Sequence, residues 1–208
     1  SCSGSRCDET LFGVKFGPRF AHLEDDIRFR ETLTSAATGN QFVLQDHFAT
    51  ENSFLGGELG LNMQRQRGCF DVDLGVRLAL GMTRQELETY GVNAFTSGTP
   101  PTTTRSPGGF LVQPSNMGSW DRTRLSWVPG LDAGVGYRMK NGWRMNVSYS
   151  LMYWTNVLRA AEQIDDTINP DFFAPPVVPT AGPARPAPRF NESDYLAHGI
   201  SFGIEKRW

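Results

Sequence analysis

Histidine, a frequent catalytic and metal-binding side chain, occurs only three times in this 208-residue chain. His22, His47 and His198 are isolated in the sequence, and none has a second ligand at a spacing that zinc sites use. A serine nucleophile needs an elbow such as Gly-x-Ser-x-Gly, which is absent, and no glycine-rich phosphate loop opens a helix. The sequence therefore predicts no catalytic centre and no cofactor, and the chain is not expected to be an enzyme.

Carboxylates cluster at two places, where their hard oxygen atoms could bind calcium. One cluster is formed by residues 24–26, and the other combines residues 165–166 with Asp171. A solvated loop end explains both clusters more simply, so no metal site is predicted.

The three cysteines are an odd set without metal-ligand spacing. A Cys2–Cys7 disulfide is one option in an oxidising compartment, because cysteine count alone does not fix the pairing. Cys69 falls in a predicted tight turn and is expected to be unpaired.

The composition favours strands joined by turns, since the chain contains 22 glycines and 14 phenylalanines. The formal net charge is −2 with acids and bases mixed along the chain, so no basic surface for nucleic acid is expected. No run approaches the roughly 20 apolar residues of a membrane-spanning helix. A membrane segment would therefore have to be a β-strand, which needs only about 9–11 residues.

Apolar and polar side chains alternate along the chain, which is the pattern of a strand whose successive residues face opposite sides. From Trp143 to Tyr153 every odd position is apolar, whereas the even positions from Arg144 to Ser150 are polar. Six segments show this pattern clearly, at about residues 12–20, 55–64, 70–83, 125–140, 143–153 and 196–208.

The connections between these segments alternate between short and long. Asn141-Gly142 is a strong hairpin signal because both residues tolerate positive φ, and residues 66–69 form a second tight turn. The other links are long, at about residues 24–47, 86–122 and 159–193. Short periplasmic turns and long extracellular loops are typical of an outer-membrane barrel.

The predicted fold is an all-β, antiparallel, up-and-down transmembrane β-barrel over residues 10–208, after an N-terminal extension at residues 1–9. Closure is required because unpaired backbone groups are costly in hydrocarbon. A barrel of about 8–12 strands is expected, although only six are readable. Three alternatives stay open: hidden strands near residues 42–48 and 110–120, further strands upstream, or several chains completing one barrel.

The two faces of the predicted strands suggest different surroundings. The outward face of a soluble sandwich is typically rich in Lys and Glu, whereas the polar face here mixes Gly, Ser and Asn with sparse charges of both signs, as suits a hydrated lumen. The predicted lumen-facing residues are Lys15, Arg19, Glu58, Asp73, Arg77, Asp132, Arg138 and Arg144. The predicted lipid-facing and aromatic-belt residues are Trp127, Tyr137, Trp143, Tyr149, Tyr153 and Trp208.

Several stretches resemble the planctomycete outer-membrane β-barrel family first described among the big proteins of Blastopirellula. They are residues 17–24, 48–61, 78–81, 113–118, 149–159 and 163–165, followed by Asn169-Pro170. Residues 17–24 are also similar to pore-forming outer-membrane proteins of the Legionella type. Members of the first family usually carry further tryptophan-rich strands upstream, and Ala160-Ala161-Glu162 stands where they tend to have Pro-Gly-Asp.

The polar face and the resemblance together predict a porin-like channel for small polar solutes in the outer membrane. The expected partners are membrane lipid, lipopolysaccharide and the barrel-assembly machinery, which would recognise the C-terminal strand; a homo-oligomer or other envelope proteins are further options. Two alternatives remain: a structural barrel that assembles with surface proteins through its long loops, and a soluble β-sandwich or lipocalin-like binding module.

Overall fold

The computed structural model describes residues 9–98, 100–139, 141–169 and 182–206. Seven β-strands account for most of these residues, together with one short 3₁₀ helix at Ala160–Gln163. The strands are β1 (Glu9–Thr34), β2 (Gln41–Arg67), β3 (Phe70–Ser97), β4 (Thr102–Pro107), β5 (Gly118–Arg138), β6 (Trp143–Leu158) and β7 (Glu192–Lys206).

All strand pairs are antiparallel, and the sheet order is β1-β2-β3-β5-β6-β7, with β4 paired to β3 beside this path. Each strand of the path therefore pairs with the next one along the chain, which confirms the predicted all-β, up-and-down topology. The sheet curls, because β6 also contacts β3 and β2, which are not its neighbours in the sheet. We call the face inside this curl, which carries Phe54, Ala79, Val128 and Trp154, the inner face.

The two tight turns lie where the sequence predicts them. Gly68 links β2 to β3 with a φ of 59°, and Gly142 precedes β6 with a φ of 82°. Both angles are in the left-handed region, where glycine is favoured because it has no Cβ. These turns lie at one end of the sheet, and the connections that follow β1, β3 and β6 lie at the opposite end.

Two of the predicted long loops are wrong for most of their length. β1 and β2 continue through residues 24–47, apart from a turn at residues 35–40, and β3 reaches Ser97 within the predicted loop at 86–122. That loop also contains β4, so its longest described part outside the sheet is residues 108–117. The predicted loop at 159–193 agrees better, because β6 ends at Leu158 and β7 begins at Glu192.

The predicted count of 8–12 strands is not reached in the described residues, which contain seven strands, six of them in the main path. Residues 42–48 belong to β2 and add no separate strand, and residues 110–117 are not strand. Within the described part of the chain, β1 and β7 each pair with one strand only, so the sheet has two edges.

Cys69 is disulfide-bonded, so the expectation that it is unpaired is wrong. Cys2 and Cys7, whose pairing was the other expectation, lie outside the described residues. None of the helices in the described ranges is long and apolar enough to cross a membrane.

Candidate functional site: a polar inner wall behind an apolar belt

The outer face carries a continuous belt of exposed apolar side chains near the tight turns. On β1 it runs from Phe12 to Phe20, and Phe16 exposes 88% of its surface. On β2 it runs from Leu55 to Met63, a stretch of nine residues in which Leu55, Leu59 and Leu61 are exposed and Met63 is partly buried. Nine strand residues span about 30 Å, which matches the length that a tilted strand needs to cross a bilayer. The other exposed members include Leu74, Val76, Leu78, Leu80, Met82, Leu125, Val135, Val147, Ile200, Phe202 and Ile204.

The belt drifts along the strands from one edge of the sheet to the other. The row of paired residues that begins with Phe12 and Met63 reaches Ile200 on β7. On β1 the belt ends at this row, whereas on β7 it continues past Ile200 to Ile204. Toward the long connections it ends earlier on β7, at Leu196. A belt that is level with a membrane crosses the strand register in this way when the strands are tilted.

The belt ends sharply toward the long connections. The row beyond Phe20, Leu55 and Met82 contains His22, Ser53 and Arg84 on the same face. The next row on the outer face is acidic and consists of Glu24, Glu51, Glu86 and Asp121. We therefore divide the sheet into a belt half, next to the tight turns, and a loop half beyond this boundary.

The predicted belt aromatics lie on the outer face where the structure describes them. Trp127, Tyr137 and Trp143 are exposed, whereas Tyr149 and Tyr153 are partly covered. Tyr153 donates a hydrogen bond to the carboxylate of Asp194. Trp208 lies outside the described residues. Lipid contact of these side chains stays a proposal.

The inner face of the belt half is polar, and its charges form a ladder of ion pairs. Arg77 lies 2.5 Å from Asp132, and Arg19 lies 3.7 Å from Glu58. Near the tight turns Asp71 binds both Arg138 and Arg144, and Arg144 also reaches Glu205 at 3.6 Å. The structure thus brings six of the eight predicted lumen residues into ion pairs; Asp71 and Glu205 are two partners that the prediction missed.

Small residues on the inner face make room for these long side chains. A Cβ atom on Gly130 would lie 2.5 Å from Nε of Arg77, and one on Gly136 would collide with the carboxylate of Asp71. Each glycine sits on β5, beside the β3 side chain that lies across it. These glycines therefore have a packing role that explains their presence in strands without any ligand.

The remaining two predicted lumen residues, Lys15 and Asp73, face an open basin on the inner face. The basin has a volume of about 410 Å³ and is also lined by Asp132, Arg144 and uncharged polar groups such as Asn62. Within the described residues, neither Lys15 nor Asp73 lies within ion-pair distance of an opposite charge. The basin is thus a hydrated surface with both signs of charge.

The inner face of the loop half is filled by buried side chains, both apolar and polar. One buried cluster lies at the boundary between the two halves: Phe54, Trp154 and Val157 pack on Ala79 and Val128 of the belt half. The indole N–H of Trp154 donates to Thr83 at 3.0 Å. A second cluster joins Phe48, Val112 and Ala160. The side chains in the second cluster come from β2 and from both long connections that follow β4 and β6. The chain therefore covers its own inner face in this half.

The segment that covers this face, Thr155–Gln163, crosses from β6 over β1 and β2. Asn52 holds its backbone twice, because Oδ1 accepts from the N–H of Leu158 at 2.7 Å and Nδ2 donates to the carbonyl of Leu158 at 2.9 Å. Asp25 accepts from Nε of Arg159 at 2.8 Å. We call Thr155–Gln163 the crossing segment. Sequence reasoning missed it, because its anchors are ordinary polar residues within long strands.

Two buried carboxylates fix the loops above the crossing segment. Asp46 accepts backbone hydrogen bonds from Phe110, Leu111 and Val112 at 2.7–3.1 Å. The carboxylate of Asp165 is fully buried and binds Arg185 and Arg189, each at 2.8 Å.

Burial on its own would raise the pKa of Asp165. The backbone N–H of Ala187 and the guanidinium of Arg185 favour the ionised form, and the pKa falls to about 2 as a result.

The described candidate metal ligands are not assembled into a site, and Asp171 lies outside the described residues. Among the residues that the structure describes, no group of three or more His, Cys, Asp or Glu side chains could hold a metal ion. His22 binds Glu24 and Ser53 on the outer face, and His47 lies 3.5 Å from Asp26. Asp165 is occupied by its two arginines.

The fold and the two faces define a class of protein, a transmembrane-type antiparallel β-barrel wall with a polar inner surface. The family model described as "Putative beta barrel porin-7 (BBP7)" matches residues 5–208, and the chain belongs to this family. No match was found among curated proteins or among solved structures. The resemblance to planctomycete and Legionella-type proteins stays an expectation, since the family match does not bear on it.

Proposed function

We propose that this chain forms the wall of an outer-membrane channel through which small polar solutes pass, and that it has no catalytic role. One observation carries the proposal: in the belt half, exposed apolar side chains on the outer face stand directly behind a polar, charge-paired inner face with an open basin. Water on one side of a strand and hydrocarbon on the other is the arrangement of a porin. Membership of a β-barrel porin family supports the outer-membrane location.

The crossing segment sets where such a channel is narrow. It packs against the inner face of the loop half, whereas the basin in the belt half stays open. A solute that follows this wall would therefore meet a constriction at the crossing segment and a wider vestibule near the tight turns. The exposed stripe of Ile200, Phe202 and Ile204 on β7 is the surface we propose for contact with lipid and with the barrel-assembly machinery.

Solute flux tests the proposal. The refolded chain in phospholipid vesicles should admit small sugars and exclude large dextrans in a swelling assay, and it should give steps of conductance in planar bilayers. Shortening the crossing segment by deleting Ala161 and Glu162 should raise the conductance of each step. A protein that folds in vesicles, as judged by heat-modifiable gel migration, but passes neither ions nor sugars would contradict the channel function.

A second function, assembly with other surface proteins, has one observation in its favour. β2 continues for 13 residues on the loop side of the belt, from Gln41 to Ser53, and therefore projects about 40 Å past it. Phe42 on this projection, and Phe29 and Leu33 on the part of β1 that pairs with it, are exposed apolar side chains. Cross-linking from cysteines placed at Leu33 and Phe42 in intact cells would capture a neighbouring protein if the projection is a contact surface. If these cysteines react with a water-soluble label but form no cross-link to another protein, the result would count against this role.

A further inference from the structure

The charges on the inner face of the belt half are numerous but nearly balanced. We define the wall as the inward-facing side chains of residues 9–19, 56–66, 71–81, 126–138, 144–152 and 197–205. It carries five basic and six acidic side chains, which differ by one charge. The basic ones are Lys15, Arg19, Arg77, Arg138 and Arg144, and the acidic ones are Glu9, Glu58, Asp71, Asp73, Asp132 and Glu205.

Most of these charges are also paired at short range. Eight of the eleven take part in ion pairs of 3.7 Å or less. Arg19 pairs with Glu58, Arg77 with Asp132, Asp71 with both Arg138 and Arg144, and Glu205 with Arg144. An ion pair acts on a distant solute as a dipole, whose potential falls faster with distance than that of a single charge. Dissolved salt screens the remaining potential over a distance of about 8–10 Å.

The unpaired charges do not restore a net field in the basin. Lys15 and Asp73 both line it and have opposite signs. The other charges that line the basin, Asp132 and Arg144, already have partners on the wall. Uncharged groups that both donate and accept hydrogen bonds complete the lining: Asn62, Gln64, Asn146, Ser148 and Ser150.

We infer that this wall favours neutral and zwitterionic polar solutes, such as small sugars and amino acids, and selects weakly between cations and anions. The inference rests on the proposed channel function for its biological meaning. The physical cause is that the lining of the basin offers many hydrogen bonds and almost no net charge. A ring of charges of one sign would select ions instead.

The local potential at the wall can be measured without any conductance. Ser150 is exposed and lies beside Asp132 on the neighbouring strand, so Ser150→Cys reports on the Arg77–Asp132 pair. The folded chain in vesicles is treated with a cationic and an anionic methanethiosulfonate, and the ratio of the two rates is compared with that of a small free thiol. The unmodified chain measures the background from the native cysteines. The ratio should match the free thiol within about threefold.

Breaking the pair should shift this ratio in a predictable direction. Asp132→Asn leaves Arg77 alone and should favour the anionic reagent by about tenfold, because one unit charge a few ångströms away changes each rate by about threefold in water. Arg77→Gln should shift the ratio by a similar factor toward the cationic reagent, and the double variant should return near the starting value. Asp121→Asn, on the outer face, is the matched control and should change nothing.

Two results separate this inference from the channel function. A preference of more than about tenfold for one reagent in the Ser150→Cys chain would overturn the balanced wall, even if the protein conducts. Balanced thiol rates in a protein that never conducts would support the wall and refute the channel. Where conductance occurs, the reversal potential in a potassium chloride gradient should lie near zero, and a strongly cation- or anion-selective value would overturn the inference.

Discussion

The belt half and the loop half are made from the same three long strands, yet they bury opposite faces. Along β2, Leu55, Leu59 and Leu61 are exposed on the outer face, whereas Phe48 and Phe54 are buried on the inner face. The switch occurs within two residues, between Phe54 and Leu55. A strand changes its apolar side when its surroundings change. In the proposed channel hydrocarbon covers the outer face of the belt half, whereas the chain's own loops cover the inner face of the loop half.

The comparison teaches that alternation alone does not locate a membrane. Both halves alternate, so the alternation marks strand in both, but only the side on which the apolar residues lie distinguishes a lipid-facing belt from a packed protein core. The row of Glu24, Glu51 and Glu86 on the outer face marks the boundary, because carboxylates directly opposite each other are tolerated in water and not in hydrocarbon.

The largest difference in stability is expected between tryptophan substitutions on the two faces. Trp154 is 1% exposed in the inner cluster, and Trp154→Ala should lower the free energy of unfolding by about 3–5 kcal/mol because it opens a cavity. The matched change Trp127→Ala, at an exposed outer-face position, should cost about 1 kcal/mol or less. Urea unfolding from vesicles measures both. Equal losses would mean that the two faces do not differ in packing.

A smaller difference in stability is expected between substitutions of one asparagine in each half of β2. Asn52→Leu removes both of its hydrogen bonds to the backbone of Leu158 and leaves only the weaker one from Thr50 to the carbonyl, which should cost about 2–3 kcal/mol. Asn62→Leu, on the same face in the open basin, should change the unfolding free energy by less than about 1 kcal/mol. Limited proteolysis of residues 155–163 gives a second readout, since only Asn52→Leu should release the crossing segment. Equal protection in both variants would remove Asn52 as its anchor.

A third effect, on the order of 2 kcal/mol, depends on pH and belongs to the loop half alone. The pKa of Asp165 is lowered to about 2, against about 3.9 in an unfolded chain. A lowered folded pKa contributes stability that is present above pH 3.9 and is lost as the pH falls through 2. Asp165→Asn should therefore destabilise the loop at pH 7 and match the parent chain below pH 2. Protease protection of residues 182–191 measures this, and a pH-independent difference would contradict the role of the charge.

The sequence predicts the belt half well, for a physical reason. In that half each strand shows a single environment on each side, so Trp143 to Tyr153 and Phe70 to Met82 alternate without interruption and end at Gly142 and Gly68. The positions of the predicted lumen residues on the inner face follow from the same alternation. Their ion pairs do not, because the pairing of Arg144 with Asp71 spans two strands and depends on the register.

The loop half was misread because its pattern breaks several rules at once. The apolar side inverts at Phe54, charged residues such as Asp25 and Glu86 fall within strands, and these features together resemble loop sequence. The crossing segment is harder still to foresee, since Asn52 and Thr50 bind its backbone about 106–108 residues away along the chain. Only tertiary structure brings these groups together.

Accessibility of spin labels tests the central claim, that hydrocarbon covers the outer face of the belt half while water covers its inner face. Single spin labels are placed, in the chain folded in vesicles, at Leu61 and Val76 on the outer face of the belt. Two further labels are placed at Asn62, on the inner wall, and at Glu88, on the outer face beyond the belt. The labels at Leu61 and Val76 should collide more often with oxygen, which concentrates in lipid. The labels at Asn62 and Glu88 should collide more often with a water-soluble nickel chelate. Labels at Leu61 and Val76 that meet neither reagent would place these side chains in a dry protein interior and contradict the account.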